Sequence, residues 1–502
     1  MAHPTHAQQY VLLPLKGMTA TRADGSGHVG NFLQRLDSFH RPHAATPPLV
    51  SHIKDLPMRV LDSIHENGVK LIEMPPDCVP RLRAKQPGLR IVPVVYYRTA
   101  DCTYPVLATK IKPGNVRRQR TLTITVVDRE TGEPLGGATV VGFTDYAARE
   151  GAEAETKANG TATLTFERST ASLERLYVLR DPGYWGTLKK RVRLTSTLQV
   201  RLLPIDMADP DALRHYYGSI KDTDGAKVKV AIVDSGIAPH RDLRIDGGVN
   251  TVTGEQATDH GDNGIGHGTH VAGIVAGRGL PPNGIRGIAP GVILRSYRVF
   301  GQDSEEAASF AIAKAIDRAV ADQCDLINLS LGGGPSDETV LDAIEDARTR
   351  GTVVLAATGN DGRQQVSFPA SSQLALAVSA FGRKGLYPPD APQREEALKP
   401  PHGNDPEEFI ARFSNIGTEV DFSGPGVGIV STYPGGYAAW NGTSMACPAV
   451  TGAGANLLAK RPDILRMGRM QDRSDAIAQL LYQAAKSMQF GERFEGRGRV
   501  VL

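Results

Sequence analysis

Val228-Lys229-Val230-Ala231-Ile232-Val233-Asp234-Ser235-Gly236 decides how this chain folds. Apolar residues fill every place but one from Val228 to Val233. A strand with one face in water alternates. A strand covered on both faces reads as a near-continuous apolar run, which is the mark of a parallel sheet. This run ends in a carboxylate and a glycine. In open α/β sheets, the groups just past the carboxyl ends of strands meet the ligand, so Asp234 stands where chemistry is done. Taken alone, Asp234 reads better as a helix cap.

The same pattern recurs downstream. Asp325 to Leu331 (DLINLSL) ends in Gly332-Gly333-Gly334, and Thr352 to Ala357 (TVVLAA) ends in Thr358-Gly359-Asn360-Asp361-Gly362. Helical patterns lie between the strands. Asp303 with Glu306 makes a capping-box-like start, with Ala308, Ile312, Ala315, Ile316 and Ala319 inward. A second helix is expected over Asp337 to Arg350, stopped by Gly351. Residues 205–502 are thus expected to form an α/β domain, a parallel sheet with helices on both faces.

Two further stretches carry reactive groups. Asn263 to Gly273 puts His267 at the start of a Gly- and Ala-rich helix, where small neighbours leave room beside the imidazole. A lone histidine is usually structural, but one flanked by Gly266, Gly268 and Thr269 is not ordinary. Asn441-Gly442-Thr443-Ser444-Met445-Ala446-Cys447-Pro448 delivers Ser444 to the first turn of a helix, held still and expected to be exposed. The orphan N–H groups of that helix start face its hydroxyl. A bare hydroxyl is a weak nucleophile, so it requires a base, and the base an orienting partner. Cys447 reads as a small packing residue rather than a second nucleophile.

Taken together, AIVDSGI around Asp234, GHGTHVAGIVAG around His267 and NGTSMACPAVTG around Ser444 resemble the subtilisin-type (subtilase) serine proteases, with INLSLGGG and LAATGNDG in support. The order Asp, His, Ser is the subtilisin order. The resemblance runs from about Gly218 to Leu502. It implies an endopeptidase acting through an acyl-enzyme, with Ser444 as nucleophile, His267 as base and Asp234 as its orienting carboxylate. It implies Asn360 as oxyanion donor, Ser330, Leu331 and Gly332 as the edge that pairs with an extended substrate, and Leu331, Gly332 and Gly333 on the wall of the substrate pocket. No cofactor is required. Calcium is the one ion left open. The loop that often binds it, 279–290, is short and carries few carboxylates, so no metal ligand is assigned, although Asp242 matches one family position.

Residues 1–100 read β-α-β-β-α-β: a strand over Tyr10 to Leu15, a helix with Val29, Phe32, Leu33, Leu36 and Phe39 on one face, then strands Met58 to Ile64 and Val69 to Met74 about an Asn67-Gly68 turn. A helix capped by Asp77 and a β-rich run from Leu89 to Tyr97 complete a ferredoxin-like α+β unit. The subtilase resemblance implies a propeptide of the inhibitor type. On that reading residues 10–98 inhibit the enzyme within the molecule, with Val94 to Arg98 as the cleft segment. A generic accessory domain is the alternative.

Residues 101–120, with the basic cluster Arg117, Arg118 and Arg120, read as a linker. Over 121–204, about seven short strands with regular turns imply a small β-sandwich, and TVVDRETGEPLGGATVVGF resembles the carboxypeptidase-regulatory-like modules. A sandwich between inhibitor and protease departs from the simple family pattern. It leaves open whether the chain processes itself or keeps a tethered inhibitor. A plugged peptide-binding scaffold without activity is the other reading. A Pro-rich insertion at 382–412 reads as a partner-binding or lid element.

The resemblance implies protein or peptide substrates as partners, and composition argues against others. The net charge of +3 over 502 residues makes no field for nucleic acid or an anionic membrane. Four cysteines without metal-ligand spacing read as buried free thiols. There is no run of the ~20 apolar residues a spanning helix needs. The first residues lack a basic segment followed by an apolar one, so the expectation is a cytoplasmic protein, with secretion as the alternative if a leader is missing.

Overall fold

A computed structural model describes residues 7–15, 27–39, 56–101, 119–397 and 403–502. Its core is an eight-stranded sheet centred on Lys229–Asp234, the first strand read from the sequence. That strand pairs in parallel with Ile293–Arg298 on one side and Leu326–Leu329 on the other. Val353–Ala357, Leu376–Arg383 and Val420–Pro425 continue the parallel run, and Glu408–Ile410 adds an antiparallel strand. Helices cover both faces. Val230 and Ile232 point into the cluster under the helices His267–Ala276 and Thr443–Ala459, and Ala231 and Val233 into that of Ser309–Ala321 and Glu338–Thr349. All four are buried. The period-2 alternation of a strand therefore feeds two cores at once.

The N-terminal region is a four-stranded antiparallel sheet in the order β2-β3-β1-β4. The strands are β1 (Gln8–Pro14), β2 (Arg59–Ser63), β3 (Lys70–Met74) and β4 (Leu89–Pro93). Helices α1 (Gly27–Asp37) and α2 (Cys78–Lys85) join them. Phe32, Leu33, Leu36 and Leu82 fill the core on one face of the sheet. The expected cap at Asp77 is absent: Asp77 is itself helical and its carboxylate makes no capping bond. The β-rich run to Tyr97 also divides. After Pro93 the chain leaves the sheet and forms a separate strand, β5 (Tyr96–Thr99), against the large domain.

On its other face the N-terminal sheet rests on the Ser309–Ala321 and Glu338–Thr349 helices. Phe310 is fully buried among Val11, Leu13 and Leu71. Lys314 pairs with the buried Asp62 at 2.7 Å, and Arg90 pairs with Asp342 and Glu338. Between the two regions, residues 119–204 form two packed four-stranded sheets. They hold eight strands where about seven were expected. The extra one, Glu150–Glu155 (EGAEAE), is an edge strand whose polar sequence carries no apolar signal. Most of the expected linker, residues 102–118, lies outside the described residues, with Arg117 and Arg118 in it. Arg120 belongs to the strand Gln119–Asp128 and donates to the carbonyls of Thr170 and Leu194.

Of the 382–412 insertion, the described part packs against the chain's own sandwich. Leu188 N–H donates to Asp390 O at 2.8 Å, Lys190 pairs with Glu395 at 2.5 Å, and Arg129 pairs with Asp390. Among the described residues, no helix is long and apolar enough to cross a membrane.

Phe310 is the apolar peg of the N-terminal contact. Phe310→Ala should weaken it by roughly 3–5 kcal/mol, the usual cost of emptying a buried phenylalanine site. Hydrogen exchange should then show faster amide exchange across β1 and β3, while the Lys229–Asp234 strand stays protected. Unchanged exchange in β1 would refute the contact.

Candidate active site

Asp234 ends its strand and is fully buried, as is His267 in the first turn of its helix. The imidazole Nδ1 donates to Asp234 Oδ1 at 2.7 Å, and Ser235 N–H donates to the same oxygen at 2.7 Å. Two glycines allow the approach. A Cβ on Gly268 would fall 2.3 Å from the Gly236 carbonyl, and one on Gly266, which has φ +82, would fall 2.3 Å from the Tyr433 ring. Burial alone would push the His267 pKa down. The Asp234 carboxylate, by charge and hydrogen bond, outweighs that and holds it above the ordinary value, with Asp101 and Asp262 adding to the pull. The other ring nitrogen, Nε2, is buried and has no hydrogen-bond partner among the described residues.

Ser444 lies in the first turn of the Thr443–Ala459 helix. Its hydroxyl donates to Ser330 O at 2.9 Å, so it is turned away from His267 Nε2. It is fully buried rather than exposed as the sequence suggested, because another segment of the chain covers it. Asn360 follows the strand Val353–Ala357 by three residues. Its Oδ1 accepts from the N–H and the hydroxyl of Thr443, which fixes the amide and leaves Nδ2 buried and unpartnered. Burial pushes the Cys447 thiol far above its ordinary pKa, as suits an inert packing residue.

The covering segment is β5 with Ala100 and Asp101. β5 is the middle strand of a three-stranded antiparallel sheet: Glu306–Ala308 pairs along one edge and Leu331–Gly332 along the other. Thr99 lies opposite Leu331, and Arg98 opposite Gly332. Ala100 N–H donates to Ser330 O at 3.2 Å, and Ser444 N–H donates to Ala100 O at 2.9 Å. Gly442 permits this contact, since a Cβ there would fall 2.5 Å from Ala100 O. Tyr97 points inward and is buried with Ala307, Leu331 and Phe368, whereas Tyr96 is 51% exposed. Across the Ala100–Asp101 bond, Thr99 Oγ1 donates to Asp101 Oδ1 at 2.6 Å.

Two expectations change here. The segment in the cleft is 96–101 rather than Val94 to Arg98, because Val94 and Val95 bridge from the N-terminal sheet to Ser309. Val95 O accepts from Ser309 N–H at 2.7 Å. Leu331 and Gly332 pair with the segment, and the N–H of Gly333 donates to Phe368 O at 3.1 Å. Residues 306–308 are not a helix cap but the second pairing edge. The helix starts at Ser309, after an extended Ala308. That edge was missed because strand pairing between residues 208 apart, as in Arg98 with Glu306, leaves no local pattern. Asp242 is engaged within the protein, its Oδ2 accepting from Ile285 N–H at 2.9 Å and Tyr437 OH at 2.8 Å.

Against known proteins, the model of the subtilase family matches residues 225–498. Over 239 residues the chain is 39% identical to subtilisin BL of Lederbergia lenta, covering 47% of this chain and 78% of that protein. It is 38% identical over 247 residues to subtilisin DY of Bacillus licheniformis, covering 48% and 80%. With subtilisin NAT of Bacillus subtilis subsp. natto it shares 38% over 265 residues, covering 51% and 62%.

The buried Asp234–His267 pair has a measurable consequence. A carboxylate hydrogen-bonded to an imidazole favours the charged ring. In the full chain His267 should therefore titrate above the ordinary histidine value of about 6.5, with the ring neutral only at higher pH. In Asp234→Asn, burial should dominate and the midpoint should fall below that value. Side-chain ¹⁵N NMR reads both, and equal midpoints in the two chains would refute the account.

Proposed function

Because the chain belongs to the subtilase family of serine peptidases, we propose that it is an endopeptidase whose own residues 96–101 hold it latent, with Ser444, His267 and Asp234 as its reactive triad. One observation carries this reading. The Ala100 carbonyl accepts from Ser444 N–H while the strand leading to it is paired on both edges, as a peptide about to be cut would be.

The chemistry follows from the groups in place. A rotation about the Ser444 side chain moves Oγ from Ser330 O toward the unpartnered His267 Nε2. Oγ adds to the Ala100 carbonyl carbon as its proton passes to Nε2. Charge grows on the carbonyl oxygen, where Ser444 N–H already donates and the free Asn360 Nδ2 is the second donor. Asp234 holds the Nδ1–H tautomer and stabilises the imidazolium. Nε2 then returns the proton to the Asp101 nitrogen, the C–N bond breaks, and Ala100 is left as an ester on Ser444. Water, deprotonated by His267, opens the ester and frees the enzyme. No step requires a metal.

Latency has two supports. The strand order of the N-terminal sheet suits a ferredoxin-like inhibitor module, and it is braced on the Ser309–Ala321 helix by Phe310 and Lys314. The Thr99–Asp101 hydrogen bond also spans the bond to be cut. It keeps the new amine beside the ester, which favours resealing over release. A scaffold without activity fits less well, because Asp234, His267, Ser444 and Asn360 all carry the residue types that the reaction needs.

Intact-mass analysis tests this directly. The wild-type chain should accumulate division between Ala100 and Asp101 slowly, and react with a fluorophosphonate at Ser444 once residues 1–100 are removed. Ser444→Ala should stay whole and lose about 10⁶-fold in peptide hydrolysis, a magnitude set by enzymes of this family. Asn360→Ala should lose roughly 10²–10³-fold in turnover, again by the family's own measure. A wild-type chain that stays whole and unlabelled even after removal of residues 1–100 would overturn the enzyme reading. Division at another bond would overturn the register of residues 96–101.

A further inference from the structure

A cavity of about 220 Å³ opens beside Asp101, on the leaving-group side of the Ala100–Asp101 bond. Its walls come from three parts of the chain: Arg180, Asp181 and Tyr184 from the sandwich, Gln393 from the insertion, and Trp440 from the strand that leads into Ser444. The walls are fixed to one another. Gly183 N–H donates to Tyr437 O at 2.8 Å, Ile205 N–H donates to Gly183 O at 2.9 Å, and Trp440 Nε1 donates to Asp181 Oδ2 at 2.8 Å. Trp440 stacks on His270 at 4.9 Å between ring centroids, and its centroid is 6.1 Å from that of His267.

The cavity is rich in hydrogen-bond acceptors. Asp181 takes one hydrogen bond, from Trp440. The Gln393 side chain is 4% exposed, and its Oε1 has no partner. The cation on the wall, Arg180, is turned to backbone: Nε donates to Gly136 O at 3.1 Å and Nη1 to Pro182 O at 2.8 Å. The residue now at the mouth is an acid, Asp101, and its carboxylate is turned back onto Thr99. Burial raises the Asp181 pKa to about 6 against the pull of the Trp440 hydrogen bond and the Arg180 charge, although the residue as a whole is exposed. A cation placed there would draw Asp181 back toward its charged form.

We propose that this cavity is a substrate subsite, built by the sandwich and the insertion, that takes a basic side chain just after the scissile bond. The proposal rests on the endopeptidase reading for the direction in which substrate runs. It gives the sandwich a role in choosing substrates, and it makes Asp101 a poor occupant of the chain's own cleft. A lysine or arginine there offers donors to Asp181 and Gln393 together, with charge-assisted bonding to the first.

The test separates binding from turnover. The chain has two tryptophans, Trp440 in the cavity wall and Trp185, which packs with Val430 and Tyr437 at the same junction. Intrinsic fluorescence of the full chain carrying Ser444→Ala can therefore follow N-acetyl-lysine methylamide and its uncharged counterpart, N-acetyl-norleucine methylamide. The lysine probe should bind about tenfold tighter or better, and Asp181→Asn should abolish the difference. In the wild-type background, quenched peptides with Thr-Ala before the cut bond and Lys or Glu after it should differ in kcat/KM in favour of Lys. That ratio should collapse in Asp181→Asn. If the lysine probe binds selectively but no peptide is cut even after removal of residues 1–100, the subsite stands and the endopeptidase reading fails. If peptides are cut without discrimination, or the two probes bind alike or not at all, the subsite is refuted and the endopeptidase reading survives.

Discussion

Backbone pairing of Tyr96–Thr99 on both of its edges is the constraint around which this molecule is arranged. An isolated edge such as Leu331–Gly332 presents unmet N–H and C=O groups, and a single added strand satisfies them. Here a second edge, Glu306–Ala308, closes over the other side. The strand is thus held mainly through main-chain atoms, with Tyr97 buried as the side-chain anchor and Arg98 paired to Glu306 at the surface. On its N-terminal side the four-stranded sheet rests on two helices, and Val95 is clamped to Ser309.

The second constraint is electrostatic. Burying a carboxylate and an imidazole together is costly unless they bond to each other. Asp234 and His267 meet that condition, and two of their neighbours are glycines because side chains there would clash at 2.3 Å. His270 lies one helical turn on and shows the contrast. It has no carboxylate partner, and burial lowers its pKa to about 3, so it stays neutral while donating to or accepting from its surroundings as a packing group. Two buried histidines on one helix thus have opposite tendencies, set by whether a carboxylate is in reach.

Much of this was legible in the chain itself. The strands around Asp234, Asn328 and Leu355 were found from apolar runs, because a strand covered on both faces advertises its burial residue by residue. The helix over Glu338–Thr349 was found, though Asp337, read as its first residue, is its cap and accepts from Thr339 N–H and Val340 N–H. Failures came where the local signal was weak or shared. Asp303 and Glu306 look like a capping box, yet Glu306 is needed in a strand that completes a sheet with residues 208 positions earlier. The edge strand Glu150–Glu155 is too polar to read as a strand at all.

Sequence alone determined the parallel α/β core and singled out Asp234, His267 and Ser444 as candidates, because each follows from short-range spacing of apolar, glycine and reactive residues, while Asn360 entered through the family resemblance. Tertiary structure alone decided which peptide bond lies against Ser444, that the serine hydroxyl is turned to Ser330, and that Asp181 and Gln393 share a cavity with Trp440. Those facts depend on contacts between distant segments and on side-chain rotation. Neither is written in any one stretch of residues, because the energy that fixes them arises only when the segments meet.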